Sequence, residues 1–152
     1  MSLEIHVCWR GEFSPSRAEL QKTLESAGFE AEVLHDFVGS YGYWPIDLSG
    51  LKTGVEVYFD HNVPNLREIY PVLAGAVGDR DKAVTFTFGG DPAECGVAFA
   101  LAAAIAQMTD AVIYDPQSAE VVSTVDAIST AKLFFKDARE QGYRAREDEE
   151  QN

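Results

Sequence analysis

Residues Ala83 to Pro116 constrain the fold more than any other stretch of this 152-residue chain. They read as a strand (AVTFTF), a Gly89-Gly90-Asp91-Pro92 turn, an almost wholly apolar helix (CGVAFALAAAIAQM) and a second strand (AVIYDP). A helix that is apolar all the way round has no face for water and has to be covered on both sides. The segment is therefore the spine of a compact α/β unit. Its longest apolar run, Val97 to Ala106, is Ala-rich and much shorter than the ~18 residues of a membrane span, so a core helix is expected and no membrane association.

Around this spine the periodicities are regular. Leu3, Ile5, Val7 and Trp9 alternate with Glu4, His6, Cys8 and Arg10, which predicts a half-buried strand. Ser14-Pro15, and Ser16 with Glu19, signal a helix start; Leu20, Leu24 and Ala27 share a stripe and Gly28 stops it. Phe29, Ala31 and Val33 alternate with Glu30 and Glu32, a second strand ending near His35. Residues 36–53, rich in glycine and aromatics, read as a long loop of the functional kind. A third strand sets Val55, Val57 and Phe59 against Glu56, Tyr58 and Asp60, and a helix follows Pro64, split or kinked at Pro71. The fourth strand points Val84, Phe86 and Phe88 inward. Strands at 111–115 and 120–123 and a helix from about Val125 to Gln141 follow the apolar helix.

These elements predict an α+β fold: a mixed or antiparallel sheet in a ferredoxin-like βαββαβ order, extended by the apolar helix, one or two strands and a C-terminal helix. One domain is expected over residues 1–142, with 143–152 a frayed acidic tail.

A net charge of −13, from 25 acids against 12 bases, repels phosphate backbones and argues against nucleic-acid binding. The same charge favours basic partners and speeds their encounter, although solubility alone also accounts for it. Two cysteines without regular spacing, and an N-terminus lacking a basic-then-apolar pattern, predict reduced thiols and a cytoplasmic location.

No catalytic constellation emerges. The Gly89-Gly90 turn precedes a helix N-terminus, where amides can cradle phosphate, but Asp91, Pro92 and Glu94 read as its capping residues. Gly-x-Gly-x-x-Gly, Gly-Lys-Ser/Thr and Gly-x-Ser-x-Gly are absent. His6, His35 and His61 lack metal-ligand spacing, so no metal and no cofactor is expected. Cys95 opens the apolar helix beside Glu94 with no histidine near it in sequence, and Cys8 reads as a packing residue.

The strand faces carry more. Glu4, Glu30, Glu32, Glu56 and Asp60 can share the polar side of the sheet, with Tyr58 among them. The 36–53 segment adds Phe37, Tyr41, Tyr43 and Trp44, residue types enriched at interface hot spots; against this, Phe37 and Trp44 can fold back as a lid over the core. The expected partner-binding set is Glu30, Glu32, Tyr41, Tyr43, Trp44, Glu56, Tyr58 and Asp60, with no catalytic residue assigned. The leading expectation is a non-enzymatic acidic binding protein for a basic protein partner. The alternative is a small enzyme or small-ligand sensor with a carboxylate-lined pocket near the 36–53 loop, drawing on Tyr43, Asp60, Glu94 and Cys95. The third is a homodimer built through a sheet edge.

The succession GVEVYFD, VTFTFGGDPAE, an Ala-rich helix and TDAVIYDPQSAEVVS resembles small, acidic, largely uncharacterised bacterial proteins, some of them immunity partners of secreted toxins. The likeness spans roughly residues 50–125 and rests on packing residues, so it carries no catalytic positions with it. What it implies is an immunity- or inhibitor-type factor.

Overall fold

In the computed structural model, which describes residues 2–60 and 63–142, the apolar helix forms where its ends are signalled. This helix, α4 (Pro92–Met108), starts with Asp91 accepting from the Glu94 amide and with Pro92 in the first turn. The remaining elements are β1 (Leu3–Trp9), α1 (Arg17–Ser26), β2 (Ala31–Glu32), β3 (Tyr41–Leu48), β4 (Leu51–Asp60), α2 (Val63–Ile69), α3 (Pro71–Val77), β5 (Lys82–Phe88), β6 (Val112–Asp115), β7 (Glu120–Val122) and α5 (Thr124–Glu140). The fold is α+β, as the periodicities predict. No described helix is long and apolar enough to cross a membrane.

The strands form one antiparallel sheet in the order β2-β3-β4-β5-β1-β6-β7. In detail this differs from a ferredoxin-like order, because β5 lies between β1 and β4 and an additional strand, β3, separates β2 from β4. On one side of the sheet, α4 packs over β1, β4, β5 and β6, with α1 on its flank and α5 along its length. Every residue from Cys95 to Ile105 is buried, so the helix is enclosed as its composition requires. In the α4–α5 seam a Cβ on Gly96 would come within 2.7 Å of the Phe135 ring.

Residues 36–53 are not a loop. Most of them form β3 and the start of β4, a hairpin whose register places Tyr41 opposite Tyr58 and Leu48 opposite Leu51. The two-residue turn is Ser49-Gly50, with φ of 54° and 80°, the left-handed pair that a tight hairpin needs. Serine is a poor occupant of that region, and two outside contacts hold it there. Its amide donates to the Glu30 carbonyl at 2.6 Å, and Arg139 of α5 donates to its carbonyl at 2.9 Å. Pro45, which reads as a strand breaker, is accommodated because β2 pairs only with residues 47 and 48, which leaves β3 an edge strand at position 45.

The other side of the sheet is not one open polar surface, as the alternation suggested. α2 and α3, divided at Pro71, cover its β1–β6 end. Val63, Leu66, Leu73 and Val77 pack there on Cys8, Ala83 and Tyr114 in a second, smaller core. At the margin of this roof Pro116 leaves β6 without an amide to continue its pairing with β1. The Gln117 carboxamide takes its place: Oε1 accepts from the Glu4 amide at 3.1 Å and Nε2 donates to the Glu4 carbonyl at 3.0 Å.

Candidate functional site

The unroofed half of the second side, over β3, β4 and the adjoining parts of β5 and β1, gathers most of the residues expected to meet a partner. Strand register orders them in cross-strand rows. Glu32 lies opposite Asp47, and Asp47 opposite Lys52. Tyr43 lies opposite Glu56, Glu56 opposite Thr87, and Thr87 opposite Glu4. Tyr41, Tyr58, Thr85 and His6 form the next row. Alternation dictates this placement, since Trp44, Ile46, Val55 and Val57 between them all face the α4 core.

The tyrosines are ordered rather than loose. Tyr41, 82% exposed, meets Tyr58 edge-on at 4.9 Å between ring centroids. The Tyr58 hydroxyl donates to Glu56 Oε1 at 2.9 Å; that bond, with some desolvation, holds its phenol above the ordinary tyrosine range. The Tyr43 ring lies across Gly54, where a Cβ would come within 2.8 Å of its Cζ and hydroxyl. Glycine at 54 thus lets Tyr43 lie flat along the sheet. The result is a surface of three tyrosines bordered by Glu4, Glu32, Asp47 and Glu56, with Lys52 in the outermost row.

Trp44 is corrected. It is 2% exposed, its indole meets Phe37 edge-on at 5.2 Å, and its Nε1 donates to the Asp36 carbonyl at 3.3 Å. It belongs to the core and not to the contact surface, because it is out of phase with Tyr41 and Tyr43. Glu30 is exposed just before β2, at the sheet corner against the Ser49 turn. Asp60 ends β4 opposite Ala83, at the roofed end; its side chain and the whole of His61 lie outside the described residues. Asp47 was missed in the sequence because it fell inside the supposed loop. The strict alternation of Trp44, Ile46 and Leu48 with Tyr43, Pro45 and Asp47 is the signal that identifies it.

The residues of the enzyme reading do not converge. Tyr43 is on the α2–α3 side of the sheet, whereas Glu94 and Cys95 are on α4 on the opposite side. Glu94 closes the helix cap by accepting from the Gly89 amide at 3.2 Å. The Cys95 thiol is pushed up from about 9 to about 12, first by burial and then by the Asp91 and Glu94 charges. A hollow of about 290 Å³ does lie beside β3, lined by His35, Ser40, Tyr41, Tyr43, Trp44 and Pro45, but among the described residues it contains no carboxylate. Another, of about 260 Å³ and bounded by Trp9, Phe13, Val38 and Phe59, has Glu12 as its one acid among the described residues, with Lys82 beside it.

No family model, curated protein or solved structure matches this chain. One arrangement was not foreseen from sequence: His6 Nδ1 lies 2.8 Å from Thr85 Oγ1, and its Nε2 lies 3.3 Å from Glu4 Oε2. A hydroxyl, an imidazole and a carboxylate in line are the parts of an activated nucleophile. Here the imidazole is buried under the Tyr70 ring, 5.3 Å away, and burial together with the Glu4 and Tyr114 charges raises the Tyr70 phenol. The His6–Thr85 contact ties β1 to β5 at the margin of the second core, with the Glu4 carboxylate beside the imidazole. Among the described residues no three His, Cys, Asp or Glu side chains gather to hold a metal ion.

The Cys95 environment makes a direct prediction. In the folded protein at pH 8, Cys95 should resist alkylation by iodoacetamide over hours and react promptly once urea is added. Because its folded pKa is raised, the protonated thiol's contribution to stability is complete below about pH 9 and is lost as pH rises from there through about 12. Urea midpoints of wild type and Cys95→Ala between pH 8 and 11 should therefore converge as pH increases. Rapid labelling of the native chain at pH 8 would contradict the buried, acid-flanked thiol.

Proposed function

We propose that this chain is a non-enzymatic binding protein that engages a basic protein partner through the open half of its sheet, as an immunity- or inhibitor-type factor does. The observation that carries this reading is Tyr41. A largely exposed aromatic is held edge-on against Tyr58, next to the Glu56 carboxylate, on a surface that no described helix covers. Aromatic anchors within an acidic rim are what a lysine- or arginine-bearing surface recognises, through cation–π contact and charge pairing. The net charge of −13 would speed such an encounter and disfavour nucleic acid. A cytoplasmic setting accords with two buried cysteines, neither in a disulfide.

The test is affinity capture from a bacterial lysate with wild type and with the triple variant Tyr41→Ala, Glu32→Lys, Glu56→Lys, each eluted by a salt gradient. All three positions lie at the surface or are half-buried, so folding should be preserved, which circular dichroism checks. The expected result is a basic protein retained by wild type, released by added salt, and held about tenfold more weakly by the variant. Equal retention by both proteins, or release that ignores ionic strength, would remove the sheet face as the binding surface.

A further inference from the structure

At the opposite end of the sheet, β7 pairs with β6 alone among the described residues, leaving its outer backbone groups as a sheet edge. Beside this edge runs a groove of about 390 Å³ between β6–β7 and the first half of α5, on the α4 side of the sheet. Phe99 of α4 and Leu133 of α5 contribute its apolar surface, and Asp115, Glu120 and Asp126 contribute its charge. Leu133 is 68% exposed; Val121 also borders the groove, but it lies opposite Tyr114 of the second core, so alternation turns its side chain to the other side of β7, where it is 44% exposed. A free edge, an apolar floor and three acids on one side therefore coincide in a place unrelated to the tyrosine face.

We propose that this edge receives an extended, basic segment of a partner protein, added to the sheet beside β7, with lysine or arginine side chains in the α5 groove and apolar side chains next to Val121. Strand addition gives affinity through the main chain and specificity through alternate side chains, and the two sides of β7 differ in the way that alternation needs. On the groove side, long basic side chains can lay their methylenes over Phe99 and Leu133 while their charged ends reach Asp115, Glu120 and Asp126. Charge complementarity selects this occupant over a second copy of the chain. Antiparallel self-pairing of β7 would bring Glu120 and Asp126 of each copy toward those of the other, between two molecules each carrying −13. The opposite end of the sheet is a poorer acceptor, because β2 has only two residues and Pro45 removes an amide from the part of β3 that β2 leaves uncovered.

The experiment uses the intact chain and an acetylated, amidated peptide of alternating lysine and valine. Binding is followed by NMR titration, and amide hydrogen exchange is followed at residues 120–122. Three further arms use the same peptide with alternate backbone amides methylated, a glutamate–valine counterpart, and the protein variant Glu120→Lys/Asp126→Lys, both of whose sites are exposed. The expected result is saturable binding that slows exchange within 120–122. N-methylation and the charge-reversed protein should each weaken it about tenfold, and the glutamate peptide should not bind. Equal affinity for the methylated peptide would overturn strand addition in favour of diffuse electrostatic adsorption. Unchanged exchange at 120–122, or undiminished binding to the variant, would place the peptide elsewhere; concentration-dependent self-association through β7 would assign the edge to a second copy. The triple variant of the tyrosine face should bind the peptide as wild type does, so the two proposals fail separately.

Discussion

Trp44→Ala is expected to lower the unfolding free energy by about 3–5 kcal/mol, the cost of deleting a fully buried large aromatic. The indole is almost wholly enclosed and stands edge-on to Phe37, which itself meets Phe59 at 5.4 Å and Phe86 at 6.1 Å. Removing it leaves a cavity beneath β3 and takes away the Nε1 donor that secures the Asp36 carbonyl. The surroundings have little freedom to collapse into that space, because β3 is pinned by its complete pairing with β4. Urea unfolding monitored by far-ultraviolet circular dichroism should show a lower midpoint with little change in slope. Trp44→Phe, which retains an aromatic ring and loses the donor, should cost clearly less. Since Tyr41 and Tyr43 flank Trp44 on the opposite face of the same strand, the alanine variant should also lose affinity for the basic partner. A loss below about 1 kcal/mol, the level of an ordinary surface change, would mean that Trp44 is not packed in the core.

Gly96→Leu is expected to cost about 3 kcal/mol, at the upper end of what overpacking a well-filled core exacts. The obstacle is the Phe135 ring, which is buried and held edge-on to Phe29 at 5.8 Å, so it cannot swing aside without disturbing a second aromatic. Gly96→Ala should be milder, because relief of glycine's helix penalty, about 1 kcal/mol, offsets part of the crowding. The decisive measurement is a double-mutant cycle with Phe135→Leu. If the ring is the obstruction, the two substitutions will be far less costly together than their sum. Additivity would show that Gly96 matters for some reason other than the close approach of α4 and α5.

How much of this was legible in advance differs from element to element. β1, α1, the helix pair split at Pro71, β5, α4 and α5 follow from short-range signals in the chain: alternation, capping residues and breakers. These are local physics and survive in the folded state. The segment 36–53 misled because its own signals conflict. Pro45 and five glycines or serines from 39 to 50 speak for a loop, while the alternation of Trp44, Ile46 and Leu48 speaks for a strand. The conflict is resolved by partners remote in sequence, the Glu30 carbonyl and the Arg139 side chain, which hold Ser49 in a left-handed turn.

The candidate site divides in the same way. That Glu56 and Tyr58 share a face, and that Glu30 and Glu32 alternate with buried Phe29 and Val33 and half-buried Ala31, was inherent in a period of two. That Trp44 points away from Tyr41 and Tyr43 would have followed from the same rule once β3 was recognised. Which half of the polar side stays open could not have been read locally, because α2 and α3 choose their position by packing on Cys8, Ala83 and Tyr114, from three separate strands.

Taken by itself, the chain's order of residues determined an acidic α+β molecule organised around an enclosed helix, since a cylinder without a polar stripe can be stable in water only when covered. Only the assembled tertiary structure decided which strands are neighbours, where the second roof sits, and hence that tyrosines and carboxylates meet on one uncovered half of the sheet while β7 is left with an open edge. The reason is that strand pairing and helix docking are set by contacts between residues far apart along the chain, whose free energies no local pattern records.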